Sequence, residues 1–200
     1  MSIINKGFIR KRDTSDRLPP GQYESEEYPV LSLGPTPTVF RDDWKLKVFG
    51  LATELEIDWK SLNELPQQDL VKDIHCVTKW TKFDMKWRGV PFEEIVKKAN
   101  PDKSVTHVIF HSADGYTTNL PIEDVLAGKA WIATAYENEN IPSAHGGPVR
   151  MIIPHLYFWK SAKWLTGIEF IDHDQPGFWE IRGYHNYGDP WKEQRYDFDE

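Results

Sequence analysis

A single cysteine, Cys76, stands among branched apolar residues in the stretch DIHCVTKW. Its thiol could fill space in the core, act as a nucleophile with one of the seven histidines, or bind a metal as a thiolate. No neighbouring residue marks a partner for a nucleophile. Because a CxxC zinc site needs several cysteines, any metal held by this chain has at most one protein sulfur.

Two further pairs of residues have spacings that resemble chelating sites. His107 and His111 are four residues apart, as in helical HExxH zinc sites. The Val-Ile-Phe between them predicts a strand, along which four residues span about 13 Å, so one ion cannot bridge them. His75 and Cys76 are adjacent and would point to opposite faces of a strand. Neither pair is therefore predicted to chelate a metal.

The segment IPSAHGGPVR, residues 141–150, places two glycines and a proline between His145 and Arg150. A tight turn before a strand would explain this composition. However, glycines also let the backbone approach a ligand, and His and Arg supply donors to an anion. Lys160 and Lys163 follow nearby, and such cations in a chain of net charge -7 mark a candidate seat for a phosphorylated cofactor. The sequence has no GxGxxG, GxxxxGK[ST] or GxSxG motif.

The elements that must position these residues are mainly strands. Alternating or apolar runs predict strands at 44–49, 53–59, 71–77, 106–111, 130–136, 149–153 and 167–171, the first two forming a hairpin around Gly50. Helices are predicted at 90–99, with Pro91 in its first turn, at 121–126, and from a capping box at Ser61. No repeat is visible. The pattern predicts a strand-rich α+β fold with a mixed sheet and few short helices.

Residues 1–40 change character repeatedly and are rich in proline and glycine, which predicts an extended N-terminal arm. Residues 41–200 then form one domain. The arm would pack either on its own chain or on a neighbouring one.

Composition excludes several classes of function. A net charge of -7 disfavours binding to nucleic acid, and no apolar run is long enough to cross a bilayer. The N-terminal residues lack the apolar core of a secretory signal, and one cysteine allows no internal disulfide. We therefore expect a cytoplasmic protein with no nucleic-acid or membrane partner.

Several ordered blocks resemble a known family. The blocks HGGPVRMIIP and KSAKWLTGIEF, with an upstream HC strand and a downstream FWEIRGY, are similar to the molybdopterin-binding domain of sulfite oxidase, assimilatory nitrate reductase and the catalytic subunit of bacterial methionine sulfoxide reductase. The resemblance runs from about residue 30 to 192. It implies a sulfite oxidase-like fold and a molybdenum-molybdopterin cofactor.

The resemblance also implies roles for individual residues. Cys76 corresponds to the family's only protein ligand to molybdenum, a role that suits a soft thiolate. Tyr184 corresponds to a tyrosine over the open position of the metal, although Tyr187 is an alternative equivalent. The residues implied to bind the cofactor are Ser112 near the metal, His145 and Arg150 at the polar edge of the pterin, and Ser161, Ala162 and Lys163 at the phosphate.

The implied activity is oxygen-atom transfer on a small sulfoxide, N-oxide or sulfite-like substrate. Sulfite oxidases carry arginines just after the metal cysteine, whereas this chain has Val77-Thr-Lys-Trp80, which argues against sulfite. The methionine sulfoxide reductase branch is more similar here, but it is exported. We expect a monomeric catalytic domain without haem that takes electrons from an external partner. The alternatives are a non-catalytic carrier of the molybdenum cofactor and a scaffold that has lost the cofactor.

Overall fold

This computed structural model describes residues 16–200 of the chain. They contain eleven strands in two sheets and two short α-helices, joined by loops and 3₁₀ turns. The strands are β1 Tyr23–Glu24, β2 Lys45–Gly50, β3 Leu55–Asp58, β4 Gln68–His75, β5 Trp80–Pro91, β6 His107–Ser112, β7 Thr117–Pro121, β8 Trp131–Tyr136, β9 Glu139–Asn140, β10 Arg150–Ile152 and β11 Leu165–Ile171. The helices are α1 Trp59–Asn63 and α2 Phe92–Ala99.

Both sheets are mixed. The first has the order β1-β5-β8-β10, with β4 also paired to β5 and β9 to β8, and β1 runs parallel to β5. The second has the order β3-β2-β11-β6-β7, in which β11 runs parallel to β2. The other pairs are antiparallel. The predicted strand-rich α+β class is confirmed, as are the hairpin of β2 and β3 and the strand that carries His107 and His111.

Two local predictions need correction, and one strand was missed. Helix α1 begins before Ser61, because Asp58 is its N-cap and accepts a hydrogen bond from the Ser61 amide. Only Ile122–Asp124 of the predicted helix 121–126 is helical, as one 3₁₀ turn, since the left-handed Ala127 follows closely. Strand β5 was not predicted, although alternate residues such as Met85 and Trp87 are buried along it.

Helix α2 illustrates how local sequence determines an element. Pro91 lies at the N-cap, Glu93 and Glu94 occupy the first turn, and Lys97 and Lys98 occupy the last. The acidic and basic side chains lie at the ends where the helix dipole favours them. This helix agrees with the sequence prediction to within two residues.

The described part of the N-terminal arm packs on its own chain. β1 pairs with β5 at Trp80 and Thr81, and Arg17 donates hydrogen bonds to Asp73 and Asp84. Residues 1–15 of the predicted arm lie outside the described residues, so the division at residue 40 stays a prediction.

The apolar core has two parts, separated by the first sheet. The larger part contains side chains from both sheets, including Leu46, Phe110 and Ile132. The smaller part contains Trp131 and Ala133, the neighbours of Ile132 on β8, so it covers the opposite face of that sheet. Cys76 belongs to the smaller part. Within residues 16–200, no helix is long and apolar enough to span a membrane.

Candidate active site

A cavity of about 280 Å³ opens beside Cys76. The ends of several elements meet around it, namely the turn after β4, the end of β6, the loop before β10 and the segments that flank β11. Seven of the eight residues that the resemblance singled out line this cavity: Cys76, Ser112, His145, Arg150, Ser161, Lys163 and Tyr184. The structure thus brings together residues spread over more than one hundred positions of sequence.

A tight turn between β4 and β5 presents the cysteine. The Cys76 amide donates to the Trp80 carbonyl at 2.9 Å, and the Lys79 amide donates back to the Cys76 carbonyl at 2.9 Å. Lys79 adopts a left-handed conformation with φ of 77°, which closes the turn. Both the amide and the carbonyl of Cys76 are therefore hydrogen-bonded within the turn.

The Cys76 side chain is buried but reaches the cavity. Its Sγ lies 3.1 Å from the hydroxyl of Thr78, and the residue is 5% exposed. Desolvation raises the pKa of the thiol, although the Thr78 hydrogen bonds and the charge of Arg195 oppose the shift. Coordination to a metal would keep such a sulfur deprotonated.

Ser112 has a buried hydroxyl without a partner. Its Oγ is inaccessible to solvent and makes no hydrogen bond within the described residues, yet the residue lines the cavity. The backbone around it is fully engaged, because the Ser112 amide donates to Tyr116 and the Ala113 amide donates to Trp164. Because an unpaired buried hydroxyl costs free energy, its position at the cavity fits a hydrogen bond to a bound ligand.

Arg150 is fully buried and organises one wall of the cavity. Its guanidinium donates to the carbonyls of His145 and Ser161 at 2.6 and 2.9 Å, and to the Tyr28 hydroxyl at 2.7 Å. It also donates to the carbonyl of Met151. All four hydrogen bonds go to groups of the protein itself. Arg150 therefore mainly holds the His145 loop and contributes positive charge to the wall.

His145 lies at the end of a 3₁₀ turn, Ser143–His145, and Gly146 follows with φ of 102°. Desolvation, with the charges of Arg150 and Lys163, lowers the pKa of His145 to about 4. The imidazole is therefore neutral at physiological pH, where it can donate one hydrogen bond and accept another. A β-carbon on Gly146 would lie 2.8 Å from the Lys163 side chain, so glycine permits this close packing.

Lys163 lies at the same end of the cavity as His145. Its ammonium donates to the carbonyls of Leu31 and Ala144 at 2.7 and 3.1 Å and lies 4.3 Å from the centre of a Trp164 ring. Desolvation and the charge of Arg150 lower its pKa to about 8. At neutral pH it is mostly a cation, as a phosphate seat needs.

The prediction for Lys160 was wrong, because its ammonium is buried against Glu180 at 2.6 Å and does not line the cavity. Two further residues of the predicted phosphate seat, Ser161 and Ala162, differ. Ser161 is buried at the cavity wall, where its Oγ accepts a hydrogen bond from the Ile153 amide at 2.9 Å. The side chain of Ala162 lies in the larger core and does not line the cavity. Only the backbone of Ala162 is therefore available to a ligand, and its carbonyl already accepts from the Met151 amide.

The structure separates the two candidate tyrosines. Tyr184 lines the cavity, and burial raises its pKa, so the phenol stays protonated and can donate a hydrogen bond. Tyr187 packs against the larger core, and its hydroxyl donates to Asp124 at 3.0 Å. Tyr184 is therefore the tyrosine that faces the candidate site.

Sequence reasoning missed several residues at the cavity. Tyr28 of the arm stacks on His145, Trp179 stacks on Tyr184, and Thr78 contacts the cysteine sulfur. The proximity of Thr78 to Cys76 in sequence was a usable signal. Nothing in the local sequence around Tyr28 connects it with His145, because the two residues meet only through tertiary packing.

The donor set fits a cofactor that brings most of its own metal ligands. Within residues 16–200, no group of three or more His, Cys, Asp or Glu residues is placed to hold a metal ion. The cavity does offer one sulfur at Cys76, an unpartnered hydroxyl at Ser112, and positive charge at Arg150 and Lys163. This combination suits an anionic ligand whose metal needs a single thiolate from the protein.

Comparison with known proteins gives one family. Residues 33–179 match the model of the oxidoreductase molybdopterin binding domain. An uncharacterized oxidoreductase of Bacillus subtilis, YuiH, is 42% identical over 197 residues, which cover 96% of this chain and 98% of that protein.

More distant relatives include the catalytic subunit MsrP of the protein-methionine-sulfoxide reductase from Gluconobacter oxydans, 26% identical over 72% of this chain and 52% of that protein. Mitochondrial sulfite oxidase of Drosophila melanogaster is 25% identical over 76% of this chain and 31% of its own length. The chain therefore spans about half or less of these two relatives. The sulfane dehydrogenase SoxCD of Paracoccus pantotrophus has the same fold, with a TM-score of 0.65 at 17% identity, over 74% of this chain and 42% of that chain.

Proposed function

The chain belongs to the oxidoreductase molybdopterin-binding domain family, and from this premise we propose that it transfers an oxygen atom to or from a small, uncharged substrate such as a sulfoxide or an N-oxide. The observation that supports the proposal most is the position of Cys76, the only cysteine, at a cavity with an unpartnered Ser112 hydroxyl and two cations. When bound, the molybdenum cofactor would supply two-electron redox chemistry.

The residues of this chain would hold the cofactor from two sides. Cys76 would supply the sulfur ligand, and the Ser112 hydroxyl would donate a hydrogen bond nearby. His145, neutral at physiological pH, and Lys163, mostly charged, would bind the polar and phosphate parts. Arg150 would keep the His145 loop in place and add positive charge.

The choice of an uncharged substrate rests on what surrounds the sulfur. Val77 and Thr78 follow Cys76 at the cavity, and Tyr184 also lines it. None of these side chains carries a charge that would hold a dianion such as sulfite. The two cations of the wall, Arg150 and Lys163, are assigned to the cofactor rather than to the substrate. Tyr184 is protonated and can donate a hydrogen bond to the oxygen of a sulfoxide or N-oxide.

A substrate screen tests this proposal. Protein purified from a host that makes the cofactor would be assayed with reduced viologen on sulfoxides and N-oxides, and with sulfite and an electron acceptor. We expect turnover of sulfoxides or N-oxides, with kcat about tenfold or more lower in Tyr184→Phe because a transition-state donor is lost. Sulfite oxidation alone would contradict the choice of substrate. Full metal content without any turnover would favour a carrier of the cofactor instead.

We also propose that the chain works as a cytoplasmic monomer without haem and receives electrons from a separate protein. The MsrP relatives are named as catalytic subunits, which supports a separate electron donor. The lack of an internal disulfide is compatible with a reducing compartment. Cell fractionation and sedimentation of the loaded protein test the location and the monomeric state, and a membrane-bound or dimeric protein would contradict them.

A further inference from the structure

Arg195 is a buried cation behind the turn that carries Cys76. The residue is 6% exposed, and its guanidinium donates a hydrogen bond of 2.8 Å to the Val77 carbonyl. A longer contact of 3.5 Å joins it to the Pro20 carbonyl, and the guanidinium carbon lies 4.9 Å from the centre of the Tyr157 ring. Arg195 does not line the cavity, so it contacts the turn from outside the ligand space.

Two side chains, one from near each end of the chain, donate hydrogen bonds to consecutive residues of the turn. Gln22 of the arm donates to the Cys76 carbonyl at 3.0 Å, and Arg195 donates to the carbonyl of Val77. These bonds add to the turn's own hydrogen bonds. The backbone that carries the sulfur is therefore held by one side chain from the N-terminal arm and by one from the C-terminal segment.

The charge of Arg195 is poorly neutralised. Among residues 16–200 its ion pair is with Glu193, at 3.8 Å, and the Glu193 side chain is 50% exposed whereas that of Arg195 is 7% exposed. Its other partners are uncharged carbonyls and the Tyr157 ring. A buried cation with so little compensation is costly unless a further negative charge lies close by. The sulfur of Cys76 is the group on the adjacent turn that can supply it as a thiolate.

We propose that Arg195 is a positioning residue for the metal site, which fixes the Cys76 turn and keeps a permanent positive charge behind the sulfur. This inference rests on the proposed molybdenum site. A fixed cation stabilises the more negative, reduced state of a nearby redox centre. Arg195 should therefore raise the reduction potential of the bound metal without touching the substrate.

Potentiometric titration of the loaded protein, followed by electron paramagnetic resonance, tests this role. In Arg195→Gln we expect a more negative potential, by about 59 mV for each one-electron step if the equilibrium constant changes about tenfold. Arg195→Lys keeps the charge and should restore the wild-type potential to a large extent. Arg182→Gln is the matched control, because Arg182 also donates to a carbonyl and lies over an aromatic ring, both of Phe178.

The outcomes separate this inference from the proposed function. A wild-type protein that takes up no molybdenum refutes the proposed site itself. A loaded wild type and an Arg195→Gln variant with the same potential and the same spectrum overturn the role of Arg195 alone. If the glutamine variant binds no metal, Arg195→Lys decides: a near wild-type potential supports the charge as the cause, and a strongly lowered potential overturns it.

Discussion

Tyr28 and His145 stack face to face, with ring centroids 3.7 Å apart and planes inclined by 14°. The Tyr28 hydroxyl also accepts a hydrogen bond of 2.7 Å from Arg150. Burial raises the pKa of Tyr28 to about 12, so the phenol remains neutral. One residue of the N-terminal arm thus helps to hold the loop that the cofactor is proposed to contact.

Ser112→Ala should separate cofactor binding from protein stability. The Ser112 hydroxyl has no hydrogen-bond partner among residues 16–200, so its removal should leave the free energy of unfolding of the apoprotein unchanged or slightly increased. Loss of a hydrogen bond to the cofactor should weaken retention of the cofactor about five- to tenfold. Urea denaturation of the cofactor-free protein and molybdenum content after dialysis measure the two effects.

Ser161→Ala is the control for that substitution. The Ser161 hydroxyl accepts the buried Ile153 amide, so its removal should lower the free energy of unfolding by about 1 kcal/mol or more. A Ser112→Ala variant that loses as much stability as Ser161→Ala, with unchanged cofactor retention, would contradict the proposed role of Ser112.

The buried ion pair of Lys160 and Glu180 should contribute strongly to stability. Their charged atoms lie 2.6 Å apart, and both side chains are 1% exposed. Glu180→Gln leaves the ammonium without its counter-charge, which should cost about 3 kcal/mol in chemical denaturation. The exposed pair of Lys45 and Glu56 offers a comparison, since Glu56→Gln should cost much less because solvent screens the pair. Equal losses for the two glutamine variants would refute this assignment.

Lys163 should give the cofactor-free protein a specific pH dependence. Its pKa is about 8 in the folded protein, below the ordinary lysine pKa of 10.5 that the unfolded chain has, so between these values the unfolded chain binds more protons at this site. Stability relative to Lys163→Met should therefore increase as the pH rises from about 8 to 10.5. Denaturation of both proteins at several pH values measures the difference. A difference that stays constant with pH would show that Lys163 titrates normally.

Much of the fold could be predicted from local sequence. The β2–β3 hairpin and helix α2 carry patterns that a few neighbouring residues determine, such as alternation and charges that match the helix dipole. Strand β5 was missed, even though its alternate burial is clear in the structure. The alternation of exposed and buried residues from Asp84 to Gly89 is an ordinary strand pattern, so the signal for this strand was present in the sequence.

The candidate site was predictable only in part. Residue type and spacing made Cys76, His145 and Lys163 candidates, the resemblance of ordered blocks gave them roles, and the structure places all three at one cavity. Tyr28 and Arg195 could not be predicted, because their roles depend on chain segments that meet only in the folded protein. The choice between Tyr184 and Tyr187 likewise needed the fold, since both lie in one short loop.

The proposed site depends most on a bond between Cys76 and molybdenum. Anomalous scattering at the molybdenum edge, from crystals of protein made in a host that synthesises the cofactor, tests it directly. We predict one molybdenum peak in the cavity, at bonding distance from Cys76 Sγ. Metal-loaded crystals in which the peak lies elsewhere, with the Cys76 sulfur packed against hydrocarbon and unbonded, would contradict the account.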